Sequence, residues 1–186
     1  MNPGKAVEIK NVSMIYHTLD GETEAIKDLS LDIYHGEIVA LIGPSGCGKS
    51  TLLSIVAGLL KPSKGKVFVN GNEVKGTSGD IGYMFQRDHL FEWRTIYQNS
   101  IIGLEIQNKL TDEKKKFVES LLDTYGLGEF KDHYPRQLSG GMRQRAALIR
   151  TLALKPEILL LDESFSALDY QTRLTIADEI GTCRSQ

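Results

Sequence analysis

Apolar and polar positions alternate with a period of two over residues 6–33. Val7, Ile9 and Val12 fall in one run, and Ile26, Leu29, Leu31 and Ile33 in another. A period of two sends successive side chains to opposite faces, so two strands are predicted, joined by a hairpin turn at Asp20-Gly21-Glu22. Ile38-Val39-Ala40-Leu41-Ile42 is a continuous apolar run, which predicts a strand buried on both faces. Residues 51–60 predict a helix, stopped by Lys61-Pro62-Ser63-Lys64-Gly65. Lys66-Val67-Phe68-Val69-Asn70-Gly71 predicts a strand running into a turn, and Ile81-Gly82-Tyr83-Met84-Phe85 another strand.

From about residue 87 to 155 the period becomes helical. Ile96, Ile101, Leu104 and Ile106 predict one helix. Thr111 is placed to cap a second, with Asp112 and Glu113 in its first turn and Phe117, Val118, Leu121, Leu122 and Tyr125 on its apolar face. Gly126 suits its end. Lys114-Lys115-Lys116 reads as a solvated helix face balanced by acidic neighbours. Leu138-Ser139-Gly140-Gly141-Met142 opens a third helix, with Ala146, Ala147, Leu148, Ile149, Leu152 and Ala153 inside it and Pro156 ending it. This block is an all-α insertion. Ile158-Leu159-Leu160-Leu161 then predicts a buried strand ending in Asp162-Glu163, followed by Ser166-Ala167-Leu168-Asp169 and a helix near 170–180.

The candidate chemistry sits at the junctions. Gly43-Pro44-Ser45-Gly46-Cys47-Gly48-Lys49-Ser50, followed by Thr51, is G-x-x-x-x-G-K-[ST] between a predicted strand and a predicted helix. Glycines let the backbone curl so that N–H groups face a phosphate chain, and the helix start adds further N–H groups and the positive end of its dipole. Lys49 can reach the β- and γ-phosphates, and Ser50 can offer its hydroxyl to Mg²⁺. Gln86 stands at a strand exit, where it is either loop surface or a group reaching a metal or an attacking water. Ser139 with Gly140 and Gly141 is either a plain helix cap or a second anion-binding helix start. Asp162 and Glu163 are either surface acids or a pair in which Asp162 holds Mg²⁺ and Glu163 polarises a water. Tyr16 is either a half-buried strand aromatic or a platform for a purine.

Composition narrows the classes. The 186 residues are 41% apolar and 25% charged, with a net charge of −2, ordinary for a globular domain and without the basic field of a nucleic-acid binder. The two cysteines are Cys47 and Cys183. A disulfide at the first would block the phosphate loop, which suits a reducing compartment. The start carries no signal-peptide pattern, and no apolar stretch approaches the ~18 residues of a membrane helix. A membrane role is expected to go through a partner.

These motifs, in this order, resemble the nucleotide-binding subunit of ATP-binding cassette (ABC) transporters. The resemblance runs from about residue 6 to about residue 180. Aromatic Tyr16, the phosphate loop 43–50 (Walker A), Gln86, the signature 138–142, the strand 158–162 (Walker B), Glu163 and the 166–169 loop with Asp169 match the family's sequence of motifs. Phe85-Gln86 with Leu90 and Trp93-Arg94-Thr95, and Phe165 with Gln171-Thr172-Arg173, look like the ATPases of nitrate, sulfonate and taurine importers. Met142 and Ser164 stand where the family commonly has glutamine and proline.

The resemblance implies an α/β fold. Its parts would be a P-loop NTPase (RecA-like) core, an N-terminal antiparallel β subdomain and the helical insertion. It implies ATP and Mg²⁺ as ligands, with Ser50, Gln86 and Asp162 at the metal and Gln86 and Glu163 in catalysis. It further implies a homodimer in which Ser139, Gly140 and Gly141 act in trans. Membrane permease subunits would dock at the helical insertion and the loop at Gln86, where the aromatics Phe91 and Trp93 either line the docking groove or pack within the insertion, and an extracytoplasmic solute-binding protein would take part indirectly. The site of action would be the cytoplasmic face of the membrane. The family continues beyond this point with a switch histidine, whereas His17, His35, His89 and His133 all precede Asp162. The last strands and helices of the core are therefore expected to be missing and hydrolysis to be weak. A silent nucleotide-binding fragment and a soluble, non-transport ABC ATPase are the alternatives.

Overall fold

The computed structural model describes residues 4–19 and 21–162. The chain divides into a first unit ending at Ile81 and a second beginning at Gly82.

The first unit is an antiparallel sheet with one helix. β1 (Lys5–Thr18) and β2 (Gly21–Tyr34) form a long hairpin. β3 (Lys64–Val69) lies on the other side of β1, and the short β4 (Asn72–Glu73) follows, giving the order β2-β1-β3-β4. The alternation read from the sequence sets the register. Val7 faces Ile33, Ile9 faces Leu31, Val12 faces Leu29 and Met14 faces Ile26. Val67 and Val69 of β3 pair with Ile9 and Val7, completing an apolar face with buried Val7, Ile9, Val12, Val67 and Val69. Helix α1 (Lys49–Val56) adds buried Leu52, Ile55 and Val56. Asn70 and Gly71 both have positive φ, 50° and 79°, as the tight turn between β3 and β4 demands.

Two expectations in this unit are corrected. Thr18 pairs with Gly21 and His17 with Glu22, so Gly21 and Glu22 belong to the strand and the hairpin closes earlier than predicted. Residues 38–42 form no strand, and Ile38 and Ile42 are 76% and 94% exposed. A strand is a ladder of hydrogen bonds, and among the described residues no strand pairs with this run. Its apolar composition alone does not bury it.

The second unit is mainly helical. β5 (Ile81–Met84) leads into helices α2 (Ile96–Ile106), α3 (Asp112–Thr124) and α4 (Gly140–Leu152), and β6 (Ile158–Leu161) returns beside β5. The predicted caps are present. Thr111 Oγ1 accepts from the Lys114 N–H at 3.3 Å and Ser139 Oγ from the Met142 N–H at 3.3 Å. Thr95 and Gln98 add a reciprocal capping box to α2. The helices meet on Ile96, Leu104, Val118, Leu122, Leu127, Leu148 and Ile149, all essentially inaccessible to solvent. Ile106, expected on the apolar face of α2, is exposed at its end. Within the lysine run, Lys115 pairs with Asp112 at 2.9 Å, as a balanced solvated face requires. Phe85 lies just past β5, and all four residues of β6 are half-buried rather than buried. In the described residues β6 has one sheet neighbour, so only one of its edges is paired. The predicted loop at 166–169 and the helix near 170–180 lie outside the described residues.

Candidate functional site

Each unit carries part of the predicted site. In the first, the chain leaves 37–43 without strand structure and enters the glycine loop. Gly46 and Gly48 have φ of 80° and 94°, the left-handed region that lets consecutive N–H groups turn inward. Gly48 is doubly constrained. A Cβ there would lie 2.4 Å from the Ala25 carbonyl oxygen of β2, closer than any side chain is accommodated. It is also the residue before α1, so the turn delivers the loop directly onto the helix start. No side chain caps α1, which leaves that end to backbone N–H groups, the arrangement suited to phosphate.

Lys49 closes the loop on itself. Its ammonium donates to the carbonyls of Gly43 and Pro44, each at 2.9 Å, and approaches Cys47 Sγ at 3.7 Å. A full positive charge is thus held over the concavity that the loop encloses. Tyr16, near the end of β1, is 37% exposed, and its hydroxyl lies 3.4 Å from Thr51 Oγ1 in the first turn of α1. Its ring is therefore tethered beside the loop rather than packed in the sheet. That position leaves the ring accessible beside the loop. Ser50 follows Lys49 in α1. Cys47 is exposed and unbridged.

In the second unit, Asp162 is 7% exposed at the end of β6. Its N–H donates to the Met84 carbonyl at 3.0 Å, which fixes the ends of β5 and β6 side by side. Its carboxylate accepts from the Tyr83 hydroxyl at 3.4 Å. Gln86, two residues beyond Met84, is exposed at that same pair of strand ends. Ser139, Gly140 and the turn they make are exposed at the start of α4. Glu163 and Asp169 lie outside the described residues.

Sequence reading missed the Tyr83 partner of Asp162. It also missed the side chains that hold the loop after Gln86, namely Asn99, Arg143 and Arg150. Asn99 has a recognisable signal: it falls in the apolar stripe of α2, and a polar residue there must find partners.

A glycine loop feeding a helix start, an antiparallel sheet before it and a helical block with a second glycine-rich helix start together define a phosphate-binding α/β cassette. The chain belongs to the ABC transporter family, whose model matches residues 26–166. Among curated relatives, the uncharacterized ABC transporter ATP-binding protein YtlC of Bacillus subtilis (strain 168) is 48% identical over 170 residues, 91% of this chain and 65% of that one. The taurine import ATP-binding protein TauB of Jannaschia sp. (strain CCS1) is 45% identical, covering 89% of this chain and 62% of its own. The nitrate import ATP-binding protein NrtD of Synechocystis sp. (strain ATCC 27184 / PCC 6803 / Kazusa) is 42% identical, covering 90% and 63%. The chain thus spans somewhat less than two thirds of the length of these relatives. The ATP-binding cassette MJ0796, solved as a dimer in a post-hydrolysis state bound to ADP and Pi, matches with a TM-score of 0.80 at 33% identity, over 95% of this chain and 80% of that one. The fold is that of an ABC cassette, as the resemblance implied.

Proposed function

We propose that this chain is the ATP-binding and ATP-hydrolysing subunit of an ABC importer, taking power from ATP to move a small solute of the taurine or nitrate kind through partner membrane subunits. The observation that carries the reading is the loop 43–50. Its left-handed glycines, uncapped helix start and overhanging Lys49 form a cradle for a triphosphate, with Tyr16 beside it for the base. The names of the taurine and nitrate relatives support the importer assignment and the solute class.

Each residue then has a task. The loop amides and Lys49 bind and orient the β- and γ-phosphates. Tyr16 stacks on the adenine. Ser50, Gln86 and Asp162 would hold Mg²⁺, which neutralises phosphate charge when bound. A buried carboxylate braced by Tyr83 is a suitable oxygen donor for a hard cation that keeps several waters. Glu163, next in the chain, polarises the attacking water. Ser139, Gly140 and Gly141 present a second helix start to the γ-phosphate of a nucleotide bound by a second copy, so the triphosphate joins two copies and hydrolysis releases them. Phe91 and Trp93, with ring centroids 5.0 Å apart and Trp93 74% exposed, offer an aromatic surface to the permease subunits. The subunit works at the cytoplasmic face of the membrane, with an extracytoplasmic solute-binding protein acting through the permease.

Nucleotide titration of the purified chain tests the reading. Lys49→Ala removes the charge over the phosphates and should abolish MgATP binding; an unchanged affinity refutes the role. Glu163→Gln should preserve binding and slow turnover, and equal turnover would remove Glu163 as the base.

A further inference from the structure

β1 runs on past the strand that flanks it. β3 pairs with it from Val7, opposite Val69, to Ser13, opposite Lys64, whereas β1 continues to Thr18. Among the described residues no strand lies beside residues 14–16 on that side. Tyr16 projects from this overhanging stretch, where an edge N–H would ordinarily be left to water. Ser63 meets the edge instead. Its N–H donates to the Ser13 carbonyl at 2.9 Å, and its Oγ accepts from the Ile15 N–H at 3.0 Å. The one hydroxyl proton faces the Ile15 carbonyl oxygen at 3.5 Å and the Met14 sulfur at 3.8 Å. A side chain thus adds a rung to the ladder where the backbone of β3 does not reach.

On the other flank β2 pairs with the same stretch, Ile15 facing Glu24 and Tyr16 facing Thr23. That ladder is irregular here. Its register shifts between Val12 and Met14 and again between Met14 and Ile15, and an interrupted ladder holds its strand less firmly than a continuous one. The bond from Ser63 supplies a second grip. Ser63 stands on the short connection from α1 to β3, so it ties β1 to the helix that opens at the phosphate loop. The tether from the ring's own hydroxyl is the weaker of the two. Tyr16 to Thr51 spans 3.4 Å, long for a bond between hydroxyls, which is usually about 2.7–2.8 Å, whereas the Ser63 bond to the peptide has an ordinary length.

We infer that Ser63 is a positioning residue for the base platform: its hydroxyl holds the Ile15 peptide, and with it the backbone that presents Tyr16, at a fixed place relative to α1 and the phosphate loop. The inference rests on the reading of Tyr16 as the surface on which the adenine stacks. Stacking depends on how ring and base meet, so a backbone that drifts weakens it while the phosphate contacts stay as they are. Ser63 is exposed, and removing its hydroxyl opens no cavity. Threonine keeps the accepting oxygen and alanine removes it.

Calorimetric titration of the whole chain with two ligands tests the role, since MgATP carries a base and magnesium tripolyphosphate does not. Ser63→Ala should weaken MgATP binding about two- to fivefold and leave tripolyphosphate binding unchanged, and Ser63→Thr should restore MgATP. An unchanged MgATP affinity in Ser63→Ala, where Tyr16→Ala weakens it, overturns the inference. Equal loss for both ligands also overturns it, because the damage then lies in the phosphate loop. Placed on top of Tyr16→Ala, Ser63→Ala should cost nothing more; additive losses would show that Ser63 acts by some route other than the ring. Amide hydrogen exchange without nucleotide reads the anchor separately. The Ile15 N–H should exchange about three- to tenfold faster in Ser63→Ala, while the Asn70 N–H, bonded to the Ala6 carbonyl at the other end of the sheet, is unaltered. Equal exchange at Ile15 in the two proteins overturns the inference as well. Failure of the underlying reading has its own signature: Tyr16→Ala then binds MgATP as tightly as the unaltered chain, which refutes the platform and the use made of it here, while the exchange result still decides the anchor.

Discussion

Gly48 leaves the least room for substitution of any residue in the phosphate loop. Its φ of 94° and the Ala25 carbonyl 2.4 Å from a would-be Cβ act together. Gly48→Ala should therefore cost roughly 1–3 kcal/mol of stability, visible as a lower thermal midpoint before any nucleotide is added. Tyr16 gives a complementary test, because its ring and its hydroxyl are separable. Tyr16→Phe keeps the ring and should bind ATP nearly as tightly as the unaltered chain. Tyr16→Ala should lose about 0.5–1.5 kcal/mol of stacking, a weakening of roughly two- to tenfold in a nucleotide titration. Lys49, Ser50 and the glycines were legible because their spacing is the chemistry. Arg150 and Asn99 were not, since an arginine or asparagine inside a helix announces no partner, and their bonds go to carbonyls that every sequence possesses. Tyr16 was legible as an aromatic at a strand end but not as a neighbour of Thr51, which lies 35 positions away.

Among the elements, helices were read most accurately, since their ends are written locally. Thr111 and Ser139 were expected as caps and are caps. Thr111→Ala should destabilise by about 1 kcal/mol, measured by chemical denaturation. Strands were harder, because a strand is completed by residues elsewhere in the chain. The alternation in β1 and β2 fixed their facing residues, whereas the apolar run 38–42 lacks a ladder partner among the described residues and is exposed. The sheet also carries a pH-sensitive cluster. Hydrogen bonds from Lys10 and then Lys5 hold the Glu8 carboxyl below the usual glutamate range. A depressed carboxyl stabilises the fold above its unfolded value and loses that contribution as pH falls through its folded value. Glu8→Gln should therefore flatten the acid limb of the melting curve below about pH 4.3 and leave the neutral region nearly unaltered. A parallel acid limb in the two proteins would show that the cluster does not contribute.

For the whole molecule, the near-balanced net charge of −2 gives no strong self-repulsion to oppose pairing of two copies. Light scattering should show the 20.7 kDa chain doubling in mass when Glu163→Gln is saturated with MgATP, and Ser139→Ala should weaken that doubling. Among the described residues no helix is long and apolar enough to cross a membrane. The fold of each unit was largely legible. The sequence suggested one domain with an insertion beginning near residue 87, and along the chain the first compact unit ends at Ile81. One last consequence concerns the ammonium of the phosphate loop. The Lys49 ammonium is already satisfied by two peptide oxygens, so a triphosphate bound as proposed would swap partners with the protein instead of claiming an idle cation. The heat released at that residue would be only the difference between two good arrangements.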